Sequence, residues 1–149
     1  MIYIASDHAG FQLKQFLIDH LKGQGKEVED CGAFKYDKVD DYPDFIFPCA
    51  QKVAASPKEH RGIVIGWSGQ GEAIVANKVK GIRALVYYGP PAEIITLSRK
   101  NNDANVLSLS AGFVKEDEAA KVVDQWLATE FSGEERHARR IKKIEEMEK

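Results

Sequence analysis

The sequence predicts an α/β protein built on a parallel, doubly wound sheet of about five strands. Short apolar segments alternate along the chain with longer segments whose apolar residues recur at helical spacing. No repeat, linker or low-complexity segment interrupts this alternation. The 149 residues suit one compact unit, so we expect a single domain over residues 1–149.

The first strand and the first helix are defined by a short apolar run and by spaced leucines. The first six residues are mainly apolar and predict a strand. Leu13, Leu17 and Leu21 recur every four residues and predict a helix over residues 10–22. Gly23 follows directly, at the position where glycine commonly ends a helix.

A polar loop separates the second strand from the second helix. Residues 26–30 predict a short strand, and residues 31–41 are rich in charged and turn-forming side chains. Pro43 suits the first turn of a helix because its missing N–H is not needed there. We expect this helix to run to about residue 55.

The second half of the chain continues the alternation of strands and helices. Strands are predicted over residues 62–67, 82–88 and 105–110, and helices over residues 71–79, 90–100 and 115–129. The last helix is strongly charged. Ser132 and Glu135 have the spacing of a capping box, so we predict Ser132 as its N-cap. Ile141, Ile144 and Met147 form a narrow apolar stripe on it, which predicts docking on another surface.

Composition excludes several classes of function. The net charge of −2 does not favour binding to nucleic acid or to an anionic membrane. Cys31 and Cys49 lack CxxC or metal-ligand spacing, so we expect reduced, structural thiols. The N-terminus has no basic segment ahead of an apolar one, so neither a signal peptide nor a membrane span is predicted. These features indicate a cytoplasmic protein.

A glycine-rich turn between the third strand and its helix is the strongest sign of function. Gly66, Gly69 and Gly71 surround the turn, and Glu72 stands at the start of the helix. Peptide N–H groups in such a turn can hold an oxyanion, while a carboxylate beside them can remove a proton next to a carbonyl. Acids at a helix start also gain about 0.3–1 kcal/mol from the helix dipole, so a structural role for Glu72 stays open.

Nucleotide binding does not fit this turn. A dinucleotide fingerprint requires a third glycine or an alanine at position 74, where this chain has Ile74, and no acidic residue ends the next strand. A P-loop requires Gly-Lys-Ser or Gly-Lys-Thr, which does not follow.

Two further groups of residues are candidates for the same cleft. Ligands of doubly wound sheets bind beyond the carboxyl ends of the strands, where Asp7 and His8 follow the first strand. Asp7 can equally be the N-cap of the turn that follows. Arg136 and Arg140 lie four residues apart on one face of the last helix, which is either a solvated charged face or a phosphate clamp.

Taken together, six separated motifs resemble the type B ribose-5-phosphate isomerases, a family that also includes isomerases of hexose phosphates. The motifs span residues 6–10, 41–43, 68–72, 76–83, 102–106 and 136–140 and cover almost the whole chain. The resemblance implies a Rossmann-like three-layer sandwich with a five-stranded parallel sheet. It also implies a homodimer, sometimes a tetramer, with active sites between subunits and a C-terminal helix that reaches the partner. No metal or organic cofactor is implied.

The resemblance further implies an aldose–ketose isomerase that converts ribose 5-phosphate to ribulose 5-phosphate through a cis-enediolate, in the pentose phosphate pathway. One branch of the family uses a cysteine as base at the position of Gly66, and the other uses the glutamate. Glu72 is therefore the expected base, with Ser68 and the amides of Gly69, Gln70 and Gly71 stabilising the charge that develops.

The remaining site residues are also assigned by resemblance. His8, Arg136 and Arg140, with His137 nearby, are expected to hold the phosphate. Tyr42 and Asn102 are expected to contact sugar hydroxyls, and Asp7 to assist ring opening.

Two positions depart from the family pattern. Asn101 stands where the family commonly has a histidine that opens the furanose ring, and an amide cannot carry that proton. Gly112 stands where the family usually has an arginine that binds phosphate. Ring opening is then left to Asp7, water or the solution equilibrium. Alternatively, the substrate is a tetrose or hexose phosphate, or the chain is a non-catalytic sugar-phosphate-binding paralogue. Trp67 either narrows the pocket or serves packing.

Overall fold

The computed structural model describes residues 1–149, which form a five-stranded parallel sheet flanked by helices. The strands are β1 (Ile2–Ser6), β2 (Val28–Asp30), β3 (Arg61–Gly66), β4 (Ala84–Tyr87) and β5 (Val106–Ser110). The helices are α1 (Phe11–Gly23), α2 (Pro43–Ala54), α3 (Gln70–Ala76), α4 (Glu93–Asn102), α5 (Glu116–Ala128) and α6 (Glu135–Met147). A short 3₁₀ turn, His8–Gly10, connects β1 to α1.

The sheet has the order β2-β1-β3-β5-β4, and every pair of neighbours is parallel. The chain leaves β1 towards β2 and then returns to β3 on the other side of β1. This reversal opens a crevice at the carboxyl ends of β1 and β3, where ligands of doubly wound sheets bind. The predicted sheet is confirmed.

Two apolar clusters cover the two faces of the sheet. One contains buried side chains of α1, α4 and α5, among them Leu17, Ile95 and the fully buried Trp126. The other contains side chains of α2 and α3, among them Ile46 and Ala76. The molecule is thus a three-layer sandwich. No helix combines the length and apolarity needed to cross a bilayer.

The loop after β2 is fixed by a buried lysine that the apolar pattern of α1 does not reveal. Lys14 has no exposed surface and donates hydrogen bonds to Asp30 Oδ1 and to the carbonyl of Ala33. Because a buried ammonium is costly without partners, these contacts hold the start of the loop in place. The same loop supplies Asp40 to the candidate site.

Three predicted element ends were wrong. The helix predicted over residues 71–79 ends at Ala76, and the helix expected to open at Pro90 begins at Glu93. The predicted capping box is also absent. Ser132 Oγ donates to the carbonyl of Lys100 at 2.8 Å, so Ser132 ties α6 to α4, and α6 begins only at Glu135.

The apolar stripe on α6 is partly satisfied within its own chain. Ile141 is buried where α6 packs along α4. Ile144 is partly exposed, and Met147 is 80% exposed. Only the end of the stripe is left for another surface.

Candidate active site

The glycine loop lies at the carboxyl end of β3 and is anchored from behind by β5. Gly69 has a φ of +78°, a left-handed conformation that glycine adopts without strain. Ser108 Oγ donates to the carbonyl of Gly69 at 2.6 Å, and Ser110 Oγ donates to the carbonyl of Ser68. Sequence reasoning missed both serines. The sequence feature that could have revealed them is a hydroxyl at alternate positions of a strand whose other residues are apolar.

Glu72 is buried directly over Gly66. The residue is 4% exposed, and a Cβ atom added to Gly66 would overlap the Glu72 carboxylate. The carboxylate therefore occupies the space beyond the end of β3 that any side chain at position 66 would fill. The absence of a side chain at position 66 is what allows Glu72 to lie at the crevice.

The electrostatic environment raises the pKa of Glu72 above its ordinary value. Burial is the main cause; a hydrogen bond from its own backbone N–H opposes it, and the neighbouring Asp7 carboxylate adds to the rise. Burial also raises the pKa of Asp7, while His8 lowers it. The structure thus brings two carboxyl groups together at the crevice, and both are more basic than usual.

Asp7 caps the turn that follows β1, and it also faces the crevice. Its Oδ1 accepts a hydrogen bond from the N–H of Ala9 at 3.0 Å, so the capping alternative is confirmed. Asp7 Oδ2 lies 3.8 Å from His8 Nδ1. The capping contact uses one carboxylate oxygen.

His8 is held by Asp40, a residue that sequence reasoning missed. Asp40 Oδ1 lies 2.6 Å from His8 Nδ1 and also accepts the backbone N–H of His8 at 3.0 Å. The hydrogen bond to Asp40 is the main cause that raises the pKa of His8. Asp40 lies in a loop with several acids, so the sequence carried no signal that distinguishes it.

Replacing Asp40 by asparagine is expected to lower the His8 pKa towards its ordinary value of 6.5. A raised folded-state pKa stabilises the fold below pH 6.5, and this contribution is lost as pH rises through the folded-state value. Asp40→Asn should therefore reduce that pH dependence. The measurement is an NMR titration of the His8 ring with unfolding at several pH values. Asp41→Asn, at an exposed neighbour, is the control, and an unchanged His8 pKa in Asp40→Asn contradicts the assignment.

Tyr42 lies against the glycine loop at the start of α2. A Cβ atom added to Gly71 would be 2.6 Å from Tyr42 Oη, so the phenol packs directly on the loop. Ser68 Oγ accepts the N–H of Gln70 at 3.3 Å within the loop. The glycine loop and Tyr42, both predicted as parts of the site, therefore lie together.

The Trp67 side chain packs directly against Gly112. A Cβ atom added to Gly112 would lie 2.5 Å from Trp67 Cε2, so the indole covers the space of a side chain at position 112. Trp67 is 63% exposed and forms one wall of a cleft of about 780 Å³ that also contacts Ala9 and Gln12. Packing is thus one role of Trp67, and it also borders a cleft.

The other predicted residues lie at the amino ends of the strands, which we call the amino edge of the sheet. Glu72 and the glycine loop lie at the carboxyl ends, which form the carboxyl edge. α4 ends at Asn102, next to the amino end of β5, and the Asn102 carbonyl accepts a hydrogen bond from Arg83 Nε at 3.0 Å. α6 runs along the same edge, where the N–H of Gly81 donates to the Glu148 carboxylate. A strand such as β3 separates the two edges by about 20 Å. This edge carries Asn101, Asn102, Arg136, His137 and Arg140.

A single chain therefore does not bring these five residues to Glu72. Arg136 and Arg140 are exposed, whereas His137 is 7% exposed and its Nε2 lies 3.7 Å from Glu134 Oε2. The Glu72 carboxylate and the two arginines predicted to clamp the phosphate therefore lie at different edges of the molecule.

One group of side chains comes within reach of a metal ion. Single donor atoms of Asp7, His8 and Asp40 all lie within 4.8 Å of one another. The short contact between His8 Nδ1 and Asp40 has the geometry of an ion pair, so the histidine nitrogen already has a partner.

The fold defines a class, that of doubly wound α/β proteins, and it places a buried carboxylate beside a glycine loop at the carboxyl ends of the central strands. The chain belongs to the ribose/galactose isomerase family, whose sequence profile matches residues 2–144. It is 42% identical over 148 residues to ribose-5-phosphate isomerase B of Mycolicibacterium paratuberculosis, covering 99% of this chain and 91% of that protein. It is 44% identical over 143 residues to a probable ribose-5-phosphate isomerase B of Mycoplasma pneumoniae, covering 96% and 91%.

Solved structures agree with the sequence relatives. Ribose-5-phosphate isomerase B of Mycoplasma genitalium with bound ribulose-5-phosphate superimposes with a TM-score of 0.94 at 43% identity, covering 99% of this chain and 95% of that one. The enzyme of Clostridium thermocellum gives a TM-score of 0.91 at 45% identity, covering 99% and 96%. The resemblance to the type B isomerases, and the fold that it implied, are confirmed.

Proposed function

We propose that this protein interconverts ribose 5-phosphate and ribulose 5-phosphate without a cofactor, as a step of the pentose phosphate pathway in the cytoplasm. The Mycoplasma genitalium relative binds ribulose-5-phosphate and is 43% identical over nearly the whole chain, which supports this substrate. The observation that carries the proposal is the Glu72 carboxylate, buried over Gly66 beside the glycine loop. We treat residues 1–149 as one catalytic domain.

In this proposal Glu72 moves one proton between two neighbouring carbons. It removes the C2 proton of the open-chain aldose phosphate, which gives a cis-enediolate, and returns the proton to C1 while the hydroxyl proton on O2 moves to O1, so that C2 becomes the carbonyl carbon. A base whose pKa is raised holds that proton more firmly between the two steps. Ser68 and the amides of Gly69, Gln70 and Gly71 stabilise the enediolate oxygen. Losing one such donor typically costs about 2.7–4 kcal/mol of barrier.

The other residues at the carboxyl edge bind and open the sugar. His8, whose pKa is raised by its hydrogen bond to Asp40, contacts the phosphate. Tyr42 contacts a sugar hydroxyl from its position against Gly71. Asp7 assists ring opening, because its raised pKa suits proton exchange with the ring oxygen and because Asn101 cannot do so.

A substrate panel tests the assignment. Ribose 5-phosphate should give the highest kcat/KM among pentose, tetrose and hexose phosphates, with Glu72→Gln as the inactive control. A preference for a tetrose or hexose phosphate would reassign the substrate. Absence of turnover on every sugar phosphate would identify a binding paralogue.

We further propose a homodimer in which each active site combines the two edges described above. Glu72 and the glycine loop of one subunit would meet Asn102, Arg136 and Arg140 of its partner. A closed dimer with a two-fold axis makes two such sites, because each edge then meets its counterpart once. The exposure of Arg136 and Arg140 and their distance from Glu72 support this arrangement.

Mixing two inactive variants is expected to restore activity. Glu72→Gln lacks the base, and Arg140→Gln lacks part of the clamp on the opposite edge. After subunit exchange half of the dimers are mixed, and one of the two sites in each is intact. The mixture should therefore recover about a quarter of wild-type activity.

The measurement is the isomerase rate before and after exchange of equal amounts of the two variants, with sedimentation to follow the dimer. Each variant exchanged with itself is the control. No recovery after demonstrated exchange would place both residues in the same subunit's site and contradict the interfacial arrangement.

A further inference from the structure

A second cleft, of about 670 Å³, lies at the amino edge of the sheet and is bordered by the inner face of α6. Three guanidinium groups line it: Arg61 at the start of β3, Arg83 before β4, and Arg99 on α4. Neither the glycine loop nor Glu72 contributes to this cleft. Arg136 and Arg140 do not line it either. It is therefore distinct from the proposed isomerase site.

Two of the three arginines are fixed by the protein. Arg99 is 3% exposed; its Nε donates to the carbonyl of Thr129 at 3.0 Å, and its Nη1 donates to Asp103 Oδ1 at 2.8 Å. Arg83 donates from Nε and Nη2 to the Asp103 carbonyl and lies 3.3 Å from Asp103 Oδ2. Asp103 is thus shared between two guanidinium groups, and both are held rigidly.

The third arginine has no carboxylate partner. Arg61 uses only Nη1, which donates to backbone carbonyls, including that of His60 at 2.8 Å. Its Nε and Nη2 make no hydrogen bond within the protein, and neither does Arg99 Nη2. Burial, followed by repulsion from Arg99, lowers the pKa of Arg61. Unused N–H donors of both residues therefore remain at this cleft.

The charge balance of the cleft is positive in a chain whose net charge is −2. Its five cationic residues are the three arginines with Lys58 and Lys142, whereas its acidic residues are Asp103, Glu130 and Glu145. Guanidinium groups that line one cleft and keep spare donors match the oxygens of a phosphate group, which they bind through paired N–H contacts.

We propose that this cleft is a binding site for a small phosphate-bearing anion, separate from the substrate site. The anion would accept hydrogen bonds from Arg61 and Arg99 and relieve the repulsion between them. Lys142, exposed on α6, would close the site from the solvent side. The inference does not depend on the proposed isomerase activity, because none of the residues that line this cleft is assigned to the substrate site.

Titration with inorganic phosphate at constant ionic strength, followed by calorimetry, tests the site. In Arg61→Gln the phosphate affinity of this site should fall about tenfold or more, the loss expected for hydrogen bonds to a charged group. The matched control is Arg139→Gln, which removes an exposed guanidinium paired with Glu135 elsewhere on α6. Any phosphate bound at the substrate site remains in both variants.

A second variant keeps the test informative if Arg61→Gln does not fold. Lys142→Glu changes an exposed side chain at the rim of the cleft and should also weaken phosphate binding while leaving the fold intact. Equal phosphate affinity in the wild type and in the folded cleft variants would overturn the proposal. An equal loss in Arg139→Gln would overturn it as well, because binding would then follow overall charge.

Discussion

Replacing Glu72 by glutamine is expected to lower kcat for ribose 5-phosphate by about 10²–10⁴-fold, the usual contribution of a positioned general base. Glutamine has nearly the same shape as glutamate but cannot accept the C2 proton, so substrate binding and KM should change little. The measurement is the rate of ribulose 5-phosphate formation with purified enzyme. Glu93→Gln, at an exposed acid in the first turn of α4, is the matched control.

The pH dependence of kcat and of stability, compared between the wild type and Glu72→Gln, separates a catalytic effect from a structural one. Because burial raises the Glu72 pKa, the acidic limb of kcat should lie above the ordinary glutamic acid value of 4.5. The folded state binds this proton more tightly than the unfolded state, so the group's contribution to stability falls as pH rises from 4.5 through the folded-state pKa. Glu72→Gln removes this loss of stability on ionisation, so the variant should be no less stable than the wild type at pH 7. Substantial activity in Glu72→Gln would remove Glu72 from the role of base.

A methyl group at position 66 is expected to inactivate the enzyme almost as completely. In Gly66→Ala the new Cβ overlaps the Glu72 carboxylate and forces it away from the crevice. A displacement of about 1 Å at a reacting group can cost about 10²-fold in rate. We therefore expect kcat to fall by about that factor or more, with the sheet retained.

Gly23→Ala is the control for this substitution, since a Cβ atom at Gly23 meets no other atom within 4 Å. Activity and circular dichroism of the two variants should be compared at one temperature. A fully active Gly66→Ala enzyme would show that Glu72 does not need the space over Gly66. The proposed position of the base would then be incorrect.

Most of the sheet could be predicted from the sequence, because each strand is a short apolar run next to a periodic helix. The glycine loop and Glu72 were also predictable, since the conformational freedom of glycine and the position of an acid are both local properties. The capping box failed for a non-local reason. The helix begins only at Glu135, while Ser132 Oγ accepts the N–H of Glu134 and donates to the carbonyl of Lys100, which is distant in sequence and close only in the fold.

Other parts of the site depend on tertiary contacts that no local pattern encodes. Asp40 is one of several acids in its loop, and only the folded loop brings it to His8. Ser108 and Ser110 act on the glycine loop from a strand about forty residues away in the chain. The split of the predicted residues between two edges follows from the direction of α4 and α6, which becomes clear only when the helices are placed on the sheet.

The contact between Trp67 and Gly112 restricts the order in which these two positions can have changed during evolution. A side chain at position 112 would meet the indole, 2.5 Å from the new Cβ, so both side chains fit only if the exposed indole turns away from Gly112. A lineage that gains a side chain at position 112 must therefore also move or shorten the residue at position 67. The two positions should accordingly change together in natural sequences.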